Sequence, residues 1–368
     1  MNKIPFVDLK IQYKSIKPEI DSAIHSVIED TAFIKGKYVS DFEKSYAREY
    51  GVKNCISCAN GTDAIYISLK ALDIGPGDEV ITTACSWIST SETISQTGAK
   101  PVFVDIESDY FHIDVSKIHE KITEKTKAII PVHLYGQPVD LSPLVEICEE
   151  YNLHMIEDCA QAHFAEYDGK KVGTFGISGT FSFFPGKNLG AYGDAGCIIS
   201  NDDDFSERAR KFANHGALKK HHHDIEGINS RLDGLQAAIL SAKLPYILEW
   251  NNKRLANAKF YSSLLDSFEY VKIPKIRNNV KHVFHLYVVL VDNREELQSY
   301  LSEKGISTGI HYPSPLPFLS AYKHLKHNDS DFPISSLYQN KILSLPMFPE
   351  ITKSDMELVV KSIKEFFN

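Results

Sequence analysis

The 368-residue sequence has little of what marks membrane, secreted or nucleic-acid-binding proteins. No apolar run approaches the roughly 18 residues of a membrane span, and charged residues at positions 8–17 occupy the place of a signal peptide's apolar stretch. Lys and Arg number 40 against 48 Asp and Glu, so a basic stripe for nucleic acid is missing. We therefore expect a cytoplasmic protein with neither a nucleic-acid nor a membrane partner.

Cysteine is also scarce, and its six copies are too few for a disulfide scaffold of this length. Cys55 and Cys58 form a C-x-x-C, but no second Cys or His pair follows at a zinc-binding spacing, so we interpret both as small core residues. The histidines at 221–223 lie in a charged stretch without apolar periodicity, which predicts a solvated loop. We predict no metal site.

The composition, 43% hydrophobic and 24% charged, indicates one or two globular domains. Between about residues 53 and 200, short Val- and Ile-rich runs alternate with amphipathic stretches, the pattern of βα units around a mostly parallel sheet. The α/β class is therefore predicted for this part. The predicted strands are 79–82, 101–105, 128–133, 155–158, 179–183 and 196–200, and the predicted helices are 64–72, 141–151 and 204–213.

The last third of the chain shows a different pattern. A long helix over 232–257 is interrupted by Pro245, and a new order of elements begins after Pro274. We predict a large domain at 1–245, which includes the N-terminal segment, and a small α+β domain at 246–368. The elements predicted for the small domain are a strand at 285–291, a helix at 295–304, a strand at 307–311 and a helix at 355–367.

The most informative lysine is Lys187, which follows a strand that ends in Pro185-Gly186 and precedes a glycine-rich stretch. This places it at the carboxyl edge of a sheet, where ligands bind in open α/β folds. Apolar and glycine neighbours predict partial desolvation, which lowers a lysine pKa toward the neutral amine that forms Schiff bases. Taken alone, a turn lysine in water is an equally good interpretation.

A carboxylate strengthens the first interpretation. Asp158 ends an apolar strand upstream of Lys187, and by itself it fits a helix N-cap. Paired with a buried lysine, it is the expected partner of the pyridinium nitrogen of pyridoxal 5'-phosphate. Together the two residues predict a site for this cofactor.

Two further features fit a phosphorylated, planar cofactor. Gly61 and Thr62 stand between a strand and a helix, where backbone N–H groups and a hydroxyl can hold a phosphate, although a plain N-cap has the same pattern. Trp87, one of two tryptophans, follows another strand and can stack on a ring or pack in the core.

These motifs together resemble the fold-type I pyridoxal phosphate enzymes, and among them the DegT/StrS-type nucleotide-sugar aminotransferases, over nearly the whole chain. The fold this implies is a large α/β domain with a mostly parallel mixed sheet and a small α+β C-terminal domain. The motifs are Ile4-Pro-Phe-Val-Asp-Leu9, Asn60-Gly-Thr-Asp-Ala64, Glu157-Asp-Cys-Ala-Gln-Ala-His163, Phe183-Phe-Pro-Gly-Lys-Asn-Leu-Gly190, Gly227-Ile-Asn-Ser-Arg-Leu232 and Leu345-Pro-Met347.

The resemblance assigns a role to each matching position. It implies a homodimer with shared active sites, because one phosphate ligand is expected to come from the other subunit. Lys187 is expected to carry the cofactor and Asp158 to hold its ring nitrogen, with Gln161 at the ring hydroxyl, Trp87 over the ring, Gly61, Thr62 and Ser182 at the phosphate, and Asn229 at the partner's phosphate.

For the substrate, the expected contacts are His163, Tyr192, His311 and Tyr312. Phe164 departs from the family, where glycine often follows the histidine, and this leaves the shape of the pocket wall open. Lys187 is retained, whereas relatives that act as sugar 3-dehydratases have histidine there, and this favours transamination.

The expected activity is transfer of an amino group from L-glutamate to C3 of a dTDP-linked 3-keto-6-deoxyhexose. The product, a 3-amino-3,6-dideoxyhexose, would serve lipopolysaccharide or other glycan biosynthesis. The preference for C3 comes from residues 161–163, which resemble family members that aminate C3. Three alternatives stay open: C4 amination of a 4-keto nucleotide sugar, an aminotransferase for another ketone such as a small keto acid or a cyclitol, and a regulatory protein that binds the cofactor without turnover.

Overall fold

A computed structural model describes residues 3–368 of the chain as strands β1–β13 and helices α1–α12 joined by short 3-10 turns. The strands are β1 Asn54–Cys58, β2 Glu79–Thr83, β3 Lys100–Val104, β4 Thr126–Ile130, β5 His154–Asp158, β6 Glu166–Tyr167, β7 Lys170–Lys171, β8 Ser178–Ser182, β9 Gly196–Ser200, β10 Val271–Lys272, β11 Val280–Lys281, β12 Tyr287–Val291 and β13 Ile342–Leu345. The helices are α1 Leu9–Ser15, α2 Lys17–Glu29, α3 Lys37–Tyr50, α4 Gly61–Ala71, α5 Ser89–Gln96, α6 Leu141–Glu150, α7 Asp203–Ala213, α8 Gly234–Lys243, α9 Ile247–Leu265, α10 Arg294–Glu303, α11 Pro333–Tyr338 and α12 Lys353–Phe367.

The large sheet has seven strands in the order β1-β9-β8-β5-β4-β2-β3. Pairing is parallel from β8 to β3 and antiparallel on both sides of β9, which confirms the predicted mostly parallel mixed sheet. Strands β2 and β9 are buried along their whole length, as expected where both faces of a sheet are covered. The carboxyl ends of β1, β2, β5 and β8 therefore meet at one edge.

The C-terminal region has its own apolar core. A three-stranded sheet in the order β10-β12-β13 packs with α9, α10 and α12. The predicted boundary at 245 lies in the 3-10 turn Leu244–Tyr246, between α8 and α9. Two segments cross this boundary, since Ile4 forms a parallel bridge with Ile306 and β11 pairs with β6. The division at 245 stays a prediction.

The kinked helix is confirmed, because α8 and α9 are separated by a 3-10 turn that contains Pro245. The predicted strand at 307–311 is wrong. Gly309 exchanges hydrogen bonds with Ser344 as an isolated bridge only, and the His311 ring then turns to the Ser344 hydroxyl at 2.8 Å. The predicted strand at 285–291 begins at Tyr287 instead, because the backbone N–H of Leu286 donates to Tyr135 O in a neighbouring loop.

The cysteines and the histidine run at 221–223, residue types that often bind metals, lie in different surroundings. All six cysteines are reduced and buried, which confirms the core interpretation of Cys55 and Cys58. The histidines at 221–223 are exposed, as predicted for a solvated loop. Within residues 3–368, no helix combines the length and apolar character needed to span a bilayer.

Candidate active site

Lys187 lies just beyond β8, in a turn closed by its own backbone N–H to Phe184 O at 2.8 Å. After this turn the chain folds back against Pro185. Only glycine fits at position 190, because a Cβ there would lie 2.3 Å from Pro185 O. The Lys187 side chain is partly buried, and its amine makes no hydrogen bond within residues 3–368. Burial lowers the pKa of Lys187 to about 8, and the charge of Asp158 opposes this shift. About a tenth of the amine is therefore neutral at pH 7, and about half at pH 8.

Asp158 is buried at the end of β5, within electrostatic range of Lys187. One carboxylate oxygen accepts from Thr90 Oγ1 at 2.9 Å and the other from the Ala160 backbone N–H at 3.1 Å. Burial raises the pKa of Asp158, and these hydrogen bonds together with the Lys187 charge offset only part of the rise. A buried carboxylate of this kind favours a cationic partner.

Thr90 was not identified from the sequence. It lies in α5 and its hydroxyl also meets Ser86 Oγ at 2.9 Å, so a short chain of hydroxyls leads to the carboxylate. The residues are far from Asp158 in sequence, and only the meeting of β2 and β5 at one sheet edge brings them together. The sequence feature that could have identified them is the Ser- and Thr-rich segment directly after the buried strand β2.

The predicted phosphate residues come together at the start of α4. Asn60 caps the helix by accepting from the Asp63 N–H at 2.8 Å, which leaves the N–H groups of the first turn directed outward. A Cβ at Gly61 would lie 2.6 Å from the Ser182 Cβ, so glycine allows the helix end to approach the end of β8. The Thr62 hydroxyl meets Ser89 Oγ at 2.7 Å. This cluster is a suitable anion site.

One wall of the site is built around Gln161. Its side-chain oxygen accepts from the Tyr135 backbone N–H at 2.6 Å, and its nitrogen donates to Tyr312 Oη at 3.0 Å. The Tyr312 ring lies 5.6 Å from the Trp87 ring, and Trp87 is 58% exposed. An exposed indole next to a tyrosine leaves a flat aromatic surface open to a ligand.

His311 adjoins this wall. Its ring stacks on Phe6 at 5.6 Å, and its backbone oxygen accepts from the Tyr135 hydroxyl. Burial, followed by the charge of Lys187, lowers the pKa of His311 to about 4. The ring is therefore neutral at physiological pH and lies within electrostatic range of Lys187.

His163 requires a correction, because it is fully buried and does not open into the site. Its Nδ1 meets Tyr46 Oη at 3.0 Å and its Nε2 meets the Ser182 backbone oxygen at 2.9 Å, so both ring nitrogens are occupied. Direct contact with a sugar is incompatible with this placement. His163 instead supports the strand end that carries Ser182.

The Phe164 side chain does not line the pocket, because it is buried in the core. Its φ is +61°, the left-handed region in which glycine is free of strain, which explains why glycine suits this position. The ring points into the core, where it packs against Tyr50 at 4.6 Å and Tyr46 at 5.9 Å.

Tyr192 lies apart from the other predicted sugar contacts. Lys243 Nζ is 4.2 Å from the centre of its ring, and its backbone N–H donates to Gln236 at 2.8 Å. Its other aromatic neighbour is Tyr13. These contacts connect Tyr192 with α8 and the N-terminal helices instead of the wall formed by Gln161 and Tyr312.

Asn229 is exposed, and its side chain has no hydrogen bond within residues 3–368. The neighbouring Ser230 is fixed next to the start of α4, since its hydroxyl accepts from the Ala59 N–H at 3.0 Å and donates to Asp63 at 2.6 Å. The chain therefore presents Asn229 outward from the rim of the site.

The only candidate metal cluster within residues 3–368 is His133, Glu157 and Cys159, all buried. Glu157 accepts from His133 Nε2 at 3.0 Å and from three backbone N–H groups of residues 173–176. His133 Nδ1 accepts from the Val139 N–H at 3.1 Å. These hydrogen bonds occupy the lone pairs of Glu157 and His133 and fix the loops that donate them. We therefore interpret the cluster as structural.

The arrangement fits the polar ends of pyridoxal phosphate. Lys187 offers an amine without a protein partner for the aldehyde, and Asp158 offers a buried carboxylate for the ring nitrogen. The start of α4 offers N–H groups and hydroxyls for the phosphate, and its approach to Ser182 leaves no room for a side chain at Gly61. All three features lie at the carboxyl edge of one sheet.

The sequence matches the DegT/DnrJ/EryC1/StrS aminotransferase family over residues 14–364. It is 45% identical to a Geobacillus stearothermophilus protein named pleiotropic regulatory protein, over 99% of this chain and 98% of the relative. It is 43% identical, over 99% of both chains, to the dTDP-3-amino-3,6-dideoxy-alpha-D-galactopyranose transaminase of Aneurinibacillus thermoaerophilus.

Solved structures of related proteins have the same fold as this chain. DesV of S. venezuelae, determined in complex with a ketimine intermediate, superposes with a TM-score of 0.97 at 36% identity, over 100% of this chain and 99% of that one. Ntda from Bacillus subtilis, with bound cofactor PMP, gives a TM-score of 0.90 at 31% identity, over 99% and 86%. The chain belongs to the DegT/DnrJ/EryC1/StrS aminotransferase family, a family of pyridoxal phosphate enzymes.

Proposed function

We propose that this aminotransferase moves an amino group from L-glutamate to C3 of a dTDP-linked 3-keto-6-deoxyhexose, for glycan biosynthesis. The coarser statement, a sugar aminotransferase for nucleotide-linked keto sugars, follows from the family and its relatives. The observation that carries the chemistry is the unpaired Lys187 amine beside the buried carboxylate of Asp158.

The chain's residues divide the work of the reaction. When bound, pyridoxal phosphate supplies an electron sink for the charge that develops at the amino acid's α-carbon. Lys187 Nζ, neutral in part because burial lowers its pKa to about 8, would take the proton from that carbon and pass it to C4′ of the cofactor, so that the amino group remains on the cofactor for transfer to the sugar. Asp158 presents the negative charge that keeps the ring nitrogen protonated, and Thr90 orients that carboxylate.

For the sugar, Tyr312 and His311 are the proposed contacts, and Gln161 orients the Tyr312 hydroxyl. Preference for C3 is supported by the resemblance of residues 161–163 and by the 3-amino name of the Aneurinibacillus relative. Because His163 is interior, it can influence the choice of carbon only through the position of Ser182. Buried polar groups that pair with the hydroxyls beside C3 would be left unpaired by a 4-keto sugar.

We also propose a homodimer with shared active sites. Asn229 is exposed at the rim of the phosphate site and has no partner of its own within residues 3–368. Four apolar side chains in the segments around Asn229 are about half exposed, and a second copy of the chain docked on this face would cover them. They are Phe33, Ile34, Leu218 and Ile225.

The substrate is tested with purified holoenzyme, L-glutamate and separate dTDP-linked 3-keto-6-deoxy and 4-keto-6-deoxy hexoses. NMR of the products locates the new C–N bond, and UDP-linked acceptors test the nucleotide. We expect efficient amination at C3 of the dTDP sugar. Amination at C4 alone would overturn the position, a preference for UDP would overturn the nucleotide, and no turnover with any acceptor would favour the regulatory alternative.

A further inference from the structure

Tyr46 is a buried tyrosine of α3 that the sequence did not identify. Its ring centre lies 5.6 Å from that of Phe181 and 5.4 Å from that of Phe183, the two residues that flank Ser182. The His163 ring stacks on Phe183 at 5.3 Å. Tyr46 and His163 are both fully buried, so each polar atom of these two rings needs a partner within the protein.

The hydrogen bonds of His163 determine where its proton lies. The Ser182 backbone oxygen can only accept, so His163 Nε2 carries a proton and donates it over 2.9 Å. Burial lowers the pKa of His163 to about 3, so the ring is neutral and carries a single proton. Nδ1 is therefore an acceptor, and the Tyr46 hydroxyl donates to it over 3.0 Å. The hydrogen bonds run in one direction, from Tyr46 through His163 to Ser182.

The Ser182 hydroxyl lies next to the start of α4. It accepts from the Phe184 N–H at 3.3 Å, and its own proton has no acceptor within residues 3–368. A Cβ at Gly61 would lie 3.2 Å from Ser182 Oγ, so this hydroxyl adjoins the N–H groups of the first turn of α4. The Ser182 proton is therefore available to an anion at the helix start.

We propose that Tyr46 is a positioning residue: acting through His163, it holds Ser182 in place to bind the phosphate of the cofactor. This inference rests on the proposed phosphate role of Ser182. Without the Tyr46 hydroxyl, the Nδ1 lone pair is buried without a donor, and this cost favours movement of the ring away from the Ser182 carbonyl. With the hydroxyl present, the end of β8 is already ordered when the phosphate binds, so less ordering opposes binding.

The first test concerns the His163 ring and needs no Tyr46 variant. Nitrogen-15 spectra of histidine-labelled protein should show a protonated Nε2 and an unprotonated Nδ1 for His163 through the neutral pH range. A proton on Nδ1, alone or together with one on Nε2, would overturn the proposal, because Tyr46 could not then donate to that nitrogen.

The second test compares the binding of pyridoxamine phosphate and pyridoxamine to the apoprotein by isothermal titration calorimetry. Neither compound has an aldehyde, so neither attaches to Lys187. The Kd of pyridoxamine divided by that of pyridoxamine phosphate measures the contribution of the phosphate. Tyr46→Phe should reduce this ratio by about 10-fold and leave the Kd of pyridoxamine unchanged. A general defect of the site would weaken the binding of both compounds.

Tyr50→Phe is the matched control. Tyr50 lies one turn further along α3, with its ring centre 4.8 Å from that of Tyr46, and its hydroxyl accepts from the Phe164 N–H at 2.8 Å. Its removal leaves the hydrogen bonds of His163 in place, so the ratio should be retained. Ser182→Ala should reduce the ratio by itself, and Tyr46→Phe added to it should reduce it little further, because both act on one contact.

An unchanged ratio in Tyr46→Phe beside a reduced ratio in Ser182→Ala would overturn the proposal and leave the phosphate role of Ser182 intact. An equal reduction in Tyr50→Phe would also overturn it, because the effect would then belong to the aromatic cluster as a whole. An unchanged ratio in Ser182→Ala would overturn the phosphate role of Ser182 and the inference with it. Failure of the parent protein to bind pyridoxamine phosphate would instead overturn the proposed cofactor site.

Discussion

At the scale of single residues, burial gives Lys187 and Asp158 properties that neither has in water. Desolvation disfavours the charged form of each group, so the lysine pKa decreases to about 8 and the carboxyl pKa rises. Each charge partly relieves the other. If pyridoxal phosphate binds as proposed, its cationic ring nitrogen takes over that compensation at Asp158 and leaves the lysine free to act as a base.

Asp158→Asn should fold, because the amide can retain the hydrogen bonds of similar geometry, but it should lose about 100-fold or more in kcat as the ring nitrogen loses its negative partner. Thr90→Val is the matched comparison, since it removes one hydrogen bond to the carboxylate and retains the charge. We expect a smaller loss for it. Steady-state kinetics with circular dichroism as a folding control decide the matter, and near-parental activity of Asp158→Asn would point to a different acid.

At the scale of elements, helix α8 braces the loop that carries Lys187. Lys243 Nζ donates to Gly190 O at 2.7 Å, and Gln236 accepts from the Tyr192 backbone N–H. Lys243 is completely buried, and burial lowers its pKa to about 8. Lys243 and Lys187 thus both have a strongly depressed pKa. The Lys243 amine, however, is hydrogen-bonded to Gly190 O and stabilises the loop.

This buried lysine predicts a specific pH dependence of stability. Because the folded pKa of Lys243 lies below its ordinary 10.5, the unfolded chain binds more protons between about pH 8 and 10.5, and folding becomes more favourable as pH rises through that window. The full effect of one such lysine is about 3 kcal/mol. In a cofactor-free Lys187→Met background, Lys243→Met should flatten the rise.

Urea unfolding of the single and double variants at several pH values across this window measures the effect. The Lys187→Met background removes the other depressed lysine, so the difference between the two proteins reports Lys243. An equally steep rise in both proteins would show that Lys243 is charged in the folded chain.

At the scale of the whole molecule, the exposed rim around Asn229 bears on assembly. If this residue completes the partner's site, mixing Lys187→Ala protomers with Asn229→Ala protomers creates hybrid dimers that contain one intact site. We expect activity to reappear on mixing, up to about a quarter of the parental value for random exchange of equal amounts. Mixed species are verified by native mass spectrometry with tagged protomers.

Activity that stays absent although exchange is verified would mean that Asn229 acts within its own subunit or has no role at the phosphate. A monomer at all concentrations would contradict shared sites altogether. Sedimentation velocity of the parent protein distinguishes the two cases.

The sequence predicted most of the fold, and it predicted that Asp158 and Lys187 lie at the same edge of the large sheet, because both expectations depend on local signals. Buried strands appear as apolar runs, and Asp158 and Lys187 stand where such runs end. His163 was misassigned because its burial depends on Tyr46 and on the end of β8, which come together only through the tertiary fold. Thr90 was missed for the same reason, since Asp158 comes from a distant segment.

The predicted strand at 307–311 shows a different limit. Its residue pattern suits a strand, but its backbone pairs with β13 only at Gly309. The His311 ring then forms a hydrogen bond with the Ser344 hydroxyl. The availability of a partner edge is a property of the whole domain. Beyond Gly309 the chain leaves β13, and His311 and Tyr312 then contact Tyr135 and Gln161.

The central claim is that Lys187 is the attachment point for pyridoxal phosphate. Apoprotein incubated with the cofactor, reduced with borohydride and digested should carry the added mass on the peptide that contains Lys187, with a yield that increases as pH rises through about 8. Lys243 is an internal control, since burial lowers its pKa to about 8 as well, yet its amine is committed to Gly190 O. The added mass on the Lys243 peptide, or on no lysine, would contradict the account.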